Sequence, residues 1–217
     1  SEARGLGDVY KRQALSLTAV FETQPVGTNL LLTNSSPSAG GTTSGGGSYP
    51  SEENAQISAS PSPGYAFIGW SGEGVNDSYS ASTTVLMSED RNLTANFAIQ
   101  SHSLILNASI GGSANGSGQF DYGSSPTISA TPSTGYSFGG WSGEGTSDPS
   151  ASSTTVLMNQ DRMLTALFAL NLHTLAINQQ TGGSITASDG TYEYGTQVNI
   201  FAIPHQGYSF VRWTGEG

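Results

Sequence analysis

The sequence predicts an all-β chain of tandem small antiparallel domains, each of about 71 residues, arranged as beads on a string. Three observations predict it. The phrase GYAFIGWSGEG at Gly64 returns as GYSFGGWSGEG at Gly135 and as GYSFVRWTGEG at Gly207, 71 and then 72 residues apart. Internal repetition at a fixed period is the mark of an array of like units. Short runs such as TISATP at Thr127 alternate apolar and polar residues, the pattern of a half-buried strand. No 3.6-residue pattern runs longer than a turn.

Each unit reads as five strands in fixed order. SLILN at Ser103 and TLAIN at Thr174 are short apolar runs with β-branched residues and form the first. A Gly- and Ser-rich loop follows, SAGGTTSGGGS at Ser38, GGSANGSG at Gly111 and TGGSITASDG at Thr181, where glycine supports tight turns. The second strand is AQISASP at Ala55, TISATP at Thr127 and VNIFAIP at Val198. Pro61, Pro132 and Pro204 end it, because proline lacks the ladder donor. The aromatic phrase is the third strand. TTVLM at Thr83 and Thr154 is the fourth, and LTANF at Leu93 and LTALF at Leu164 the fifth. The polar turns SEDRN and NQDRM join them. LTAVF at Leu17 reads as the tail of an earlier copy, and no such segment follows Trp213 in the third.

This frame divides the chain into 14–23, the remnant of a preceding repeat; 24–99, the first repeat; 100–170, the second; and 171–217, a truncated third. Six residues, Ala98 to Ser103, separate one repeat's Phe97 from the next repeat's Leu104. So short a link predicts a semi-rigid string. Residues 1–13 stand apart. DVYKRQ at Asp8 matches the translation of a sequencing adaptor, so this stretch is expected to be adaptor-derived, and otherwise a disordered leader, of a metagenomic fragment.

The aromatic phrase is the candidate site. Alternation puts Tyr65 and Phe67 on one face and Ala66, Ile68 and Trp70 on the other. Three arrangements reconcile this with burial. The sheet is covered on both faces; a bulge near Ile68 and Gly69 turns the tryptophan inward; or Trp70, Trp141 and Trp213 lie partly exposed as platforms for a sugar ring or partner. The core role is favoured, because a large ring buries about 150–250 Å² and a small domain without disulfides cannot spare it. Glu73, Glu144 and Glu216, with Asp77 and Asp148, could suggest calcium. That ion takes six to eight oxygens, and solvated loop charge is the favoured reading. Asp90-Arg91 and Asp161-Arg162 read as an ion pair or turn cap.

Other chemistry is not written in the sequence. His102, His173 and His205 show no metal-ligand spacing, with the first two placed in linkers. No nucleophile elbow, P-loop or dinucleotide fingerprint occurs, so no catalytic, cofactor-binding or metal residue is assigned. The sequons at Asn34, Asn76, Asn92, Asn107 and Asn115 are expected by chance in a Ser/Thr-rich chain. A net charge of −10 disfavours nucleic acid and anionic lipid as partners and favours a soluble monomer. No apolar run reaches the roughly 18 residues of a membrane helix. There is no cysteine, so packing alone must hold each unit.

The ordered set A-x-P-x-x-GY-x-F-x-x-W-x-G followed by LTA-x-F resembles the divergent internalin-type B-repeat, a module of bacterial surface and secreted proteins. The resemblance covers Leu30 to Gly217 as two full copies and one partial, with the end of an earlier one. It implies an extracellular setting, tandem arrays and no catalytic residues. It also implies a β-grasp-like topology, although this chain shows no helix pattern and closes on phenylalanine. The function expected is a non-enzymatic spacer, stalk or adhesion scaffold, with an unidentified cell-surface protein or glycan, or other domains of the same chain, as partner. The alternatives are a carbohydrate-binding module using the tryptophans and a calcium-dependent adhesin array.

Overall fold

The computed structural model describes residues 27–187 and 189–215. The DVYKRQ stretch, LTAVF at Leu17 and Glu216 lie outside them. The described residues form two compact units. One holds residues up to Ser38 with Thr42–Ser60 and Gly69–Asn96; the other holds Ala39–Gly41, Pro61–Ile68 and the chain from Phe97 onward.

The first repeat carries β1 (Thr28–Ser36), a 3-10 turn at Ser38–Gly40, β2 (Gly41–Ser44), β3 (Gly47–Pro50), β4 (Asn54–Pro61), β5 (Tyr65–Ser71), β6 (Ser82–Leu86) and β7 (Arg91–Ile99). The second carries β8 (Ser101–Ala108), β9 (Gly112–Asn115), β10 (Gly118–Asp121), β11 (Thr127–Pro132), β12 (Tyr136–Ser142), β13 (Ser153–Thr155) and β14 (Arg162–Leu170). The third carries β15 (Leu172–Leu175), β16 (Gly183–Ile185), β17 (Gly190–Glu193) and β18 (Ala202–Pro204). Among the described residues there is no α-helix.

The two complete repeats fold alike. Each makes a four-stranded sheet, β3-β1-β7-β5 or β10-β8-β14-β12, and a three-stranded one, β2-β4-β6 or β13-β11-β9. Most pairs are antiparallel. The central pair is not: β1 runs parallel to β7 from Leu31↔Arg91 to Ser36↔Asn96, and β8 parallel to β14 from Leu104↔Arg162 to Ala108↔Ala166. A parallel pair needs a long crossover. Here the crossover supplies the three-stranded sheet. A period-two pattern carries no strand direction, so the parallel pair was not legible in it.

The Gly-rich loop also differs from its reading. It holds β2 and β3 in the first repeat and β9 and β10 in the second. These strands lack apolar alternation because all four are sheet edges, and their residues are mostly half-buried or exposed.

In the second repeat the two sheets meet in one core. Leu104, Trp141, Leu164 and Ala166 come from the four-stranded sheet, and Ile128 and Ala130 from the other, with Val156 and Met158 beside them. The first repeat buries the equivalent Leu31, Trp70, Leu93, Ala95, Ile57, Ala59, Val85 and Met87. β4 shows why: Ala55, Ile57 and Ala59 are buried while Gln56 and Ser60 face out.

The third repeat forms only two-stranded pairs, β15-β17 and β16-β18. Among the described residues its aromatic phrase forms no strand. In the second repeat, by contrast, β12 is held by β14 through pairs such as Trp141↔Ala166.

Candidate functional site

The aromatic phrase opens on a turn. Gly135 has φ +84°, and the Tyr136 N–H donates to the Ser133 carbonyl at 3.0 Å. From there β12 runs along β14, pairing Tyr136 with Leu170 and Phe138 with Phe168. The register then slips by one residue between Phe138 and Gly140. Gly140 sits at φ +126°, a conformation natural to glycine. This bulge breaks the alternation and brings Trp141 to the side of Phe138, with ring centroids 5.7 Å apart at 63°. Phe138 also meets Phe168 edge-on at 5.9 Å. The Trp141 backbone N–H donates to the Pro149 carbonyl at 2.7 Å, and its indole Nε1–H to the Ala151 carbonyl at 3.1 Å. Of the three arrangements the sequence left open, the bulge is the one observed.

Trp141 is therefore 6% exposed and Trp70 is 5% exposed. At these exposures both rings are buried, the interior arrangement that the sequence reading favoured. Their rings are part of the packed interior. Trp213 differs. It is 42% exposed, 5.3 Å from Phe210, and lines a groove of about 430 Å³ with Ile203, Tyr208 and Phe210.

The aspartates of the loop after the tryptophan are structural. The Asp148 N–H donates to Thr154 Oγ1 at 3.0 Å, and its carboxylate accepts from the Ser150 hydroxyl at 2.7 Å and the Ser150 N–H at 2.9 Å. The Ser150 hydroxyl, then its N–H, holds the Asp148 carboxyl below the usual carboxylate range. The Asp77 carboxylate likewise accepts the Tyr79 N–H at 3.0 Å. Glu73 is exposed, 3.9 Å from Arg91. Among the described residues no group of three or more His, Cys, Asp or Glu could hold a metal ion.

The repeated Asp-Arg pairs each divide their work. Asp90 accepts the Leu30 N–H at 2.7 Å, and Asp161 the equivalent Ser103 N–H at 2.8 Å. Each aspartate thus fastens the start of the repeat's first strand. Each arginine lies over the GEG loop instead. A Cβ on Gly74 would stand 2.9 Å from Arg91 Nε, and one on Gly145 2.7 Å from Arg162 Cζ. Arg91 also donates to Glu89 at 2.8 Å, and Arg162 to Asn159 at 2.7 Å. Asp161→Ala is expected to cost about 0.5–1.5 kcal/mol, one strand-fastening hydrogen bond, in urea denaturation. A variant as stable as the parent would show that the contact contributes nothing.

Sequence reasoning missed one recurring constellation. His102 and His173 lie in strands β8 and β15, and each ring stands tilted against a tyrosine, Tyr122 at 6.1 Å and Tyr194 at 5.9 Å. Those tyrosines cover Gly64 and Gly135, the first residues of the preceding repeats' aromatic phrases. The signal was present as DYG at Asp121 and EYG at Glu193.

Among the described residues no helix is long and apolar enough to cross a membrane. No curated protein and no solved structure matches this chain. A family model described as the Divergent InlB B-repeat domain matches residues 31–101, 102–172 and 173–217. Its three consecutive matches span nearly all the described residues and follow the period of the aromatic phrase. The chain accordingly belongs to the divergent InlB B-repeat family, whose setting is the bacterial surface and the extracellular space.

Proposed function

We propose that this chain is a non-enzymatic spacer or adhesion scaffold, in which each complete repeat is its own folded bead. One observation carries the reading: the element written three times, the aromatic phrase, is interior in both complete repeats, with Trp70 at 5% and Trp141 at 6% exposure. What repetition preserves here is a packed unit, which suits reach better than chemistry. Acidity supports the reading of a soluble monomer. The partner that such a scaffold serves is a surface protein, a glycan or a neighbouring domain.

Single-molecule pulling from the two ends tests it. Two unfolding steps are expected, each releasing roughly 230–260 Å of chain, the contour of one repeat. A smooth extension without steps would sink the bead reading. Binding to a glycan array that survives with an intact fold and disappears in Trp213→Ala would favour the carbohydrate-binding alternative. A melting temperature that rises with added calcium would favour the calcium-dependent one.

A further inference from the structure

We propose that Tyr122 and Tyr194 are the coupling sites between consecutive repeats, each seated in a socket made by the glycine that opens the previous repeat's aromatic phrase. This deepens the spacer reading, and its test does not depend on that reading.

Within the larger unit, the junction after the second repeat is built as follows. β14 ends at Leu170 and β15 begins at Leu172, so Asn171 alone joins them. The Asn171 N–H donates to the Gly135 carbonyl at 2.7 Å, and the Asn171 carbonyl accepts the Tyr194 N–H at 2.8 Å. The Ser137 hydroxyl donates to Asn171 Oδ1 at 2.5 Å. The Tyr194 ring then lies on Gly135: a Cβ there would be 2.2 Å from ring atom Cδ1. No side chain fits, and φ +84° disfavours one in any case. His173 backs the ring from its own strand.

The same parts recur one repeat earlier. The Gln100 N–H donates to the Gly64 carbonyl at 2.7 Å, and the Tyr122 N–H to the Gln100 carbonyl at 2.8 Å. A Cβ on Gly64, at φ +80°, would be 2.1 Å from Tyr122 Cδ1. Two junctions with one geometry mark an interface that recurs with the repeat. The link is one residue long where the sequence suggested six, and the ring closes it from the side.

A natural comparison separates the ring's role from the fold of its own repeat. The pairs Thr28↔Pro50, Ser101↔Asp121 and Leu172↔Glu193 place Ser51, Tyr122 and Tyr194 at one equivalent position. Ser51 still donates its N–H to the Gly27 carbonyl at 2.8 Å, as the tyrosines do to Gln100 and Asn171. The repeat's own hydrogen bond therefore forms without the ring. At the other end, Gly207 has φ +85° with nothing within 4 Å of its built Cβ. Among the described residues it has the socket's backbone geometry with no ring seated on it.

Amide hydrogen exchange on the full chain tests the proposal. Tyr194→Ser is expected to speed exchange at the Asn171 amide by about tenfold, the loss of one aromatic contact, while the Trp141 amide stays as protected as in the parent. Tyr194→Phe keeps the ring and is expected to match the parent at both amides. Unchanged Asn171 exchange in Tyr194→Ser overturns the proposal. So does equal loosening at Trp141, which would make the tyrosine a core residue, or a loss in Tyr194→Phe as large as in Tyr194→Ser. Stepless pulling with a tenfold effect at Asn171 would reject the spacer and keep the coupling; stepped unfolding with no effect would do the reverse.

Discussion

Trp141→Ala is expected to destabilise the second repeat by roughly 3–5 kcal/mol, the range for emptying a large aromatic site in a core. Three losses combine. The ring leaves a cavity among Phe138, Ile128 and the other apolar groups of the interior. Its edge contact with Phe138 at 5.7 Å disappears. The Ala151 carbonyl, which accepts the indole N–H at 3.1 Å, loses its donor. A domain of about 71 residues has a net stability of only some 4–10 kcal/mol at ordinary values per residue. At the lower end of that range the substitution brings this repeat to its unfolding midpoint in water. Urea denaturation followed by far-UV circular dichroism would show one transition displaced to low denaturant. Trp213→Ala supplies the contrast. That ring is 42% exposed and sits in no closed interior, so its loss should shift stability by about 0.5 kcal/mol or less. Equal effects at the two positions would refute the distinction between a buried and an open copy of the phrase.

That distinction also shows how far the sequence could be read. In the second repeat all five strands were legible because short apolar or alternating runs recur at one period, the second closed by proline, as in Ile128 and Ala130 followed by Pro132. The inward turn of the tryptophan was legible only as one of three arrangements. Alternation forbade it, and the glycines beside Ile68 and Gly139 merely permitted the bulge. What decides it is the register of β12 on β14, which is a property of two strands and not of either one. The parallel β8–β14 pair was hidden for the same reason. Asp161 could be seen as a turn residue, but its partner, the Ser103 N–H, is 58 positions away. The Tyr194 socket was hidden because a tyrosine at the end of a strand has many uses. Only the fold brings it onto Gly135.

The glycine that follows the tryptophan supplies the second large expected effect. Gly143→Ala should cost about 2–5 kcal/mol, from two separable sources. The first is backbone: Gly143 sits at φ +118°, where a Cβ costs about 1–2 kcal/mol. The second is space. A Cβ there would lie 2.5 Å from Leu164 Cδ2 and 2.7 Å from the Met163 carbonyl oxygen. The leucine tip could shift, but the carbonyl cannot easily do so. β14 is clamped on both sides, by β12 and by β8 through Leu164↔Leu106. Forced overpacking of this kind costs about 1–3 kcal/mol. Gly72 repeats the arrangement in the first repeat, with φ +121° and a Cβ 2.8 Å from the Asn92 carbonyl oxygen. Gly123→Ala isolates the backbone term, since Gly123 has φ +79° and nothing within 4 Å of its Cβ. Chemical denaturation of the two variants should place Gly143→Ala below Gly123→Ala by the overpacking cost. If both lose the same stability, the close approach of loop and strand is not what requires glycine after each buried tryptophan. If they differ as expected, the phrase extends past its tryptophan for a packing reason: the ring fills the interior, and the glycine after it lets the loop pass against the strand that covers the ring.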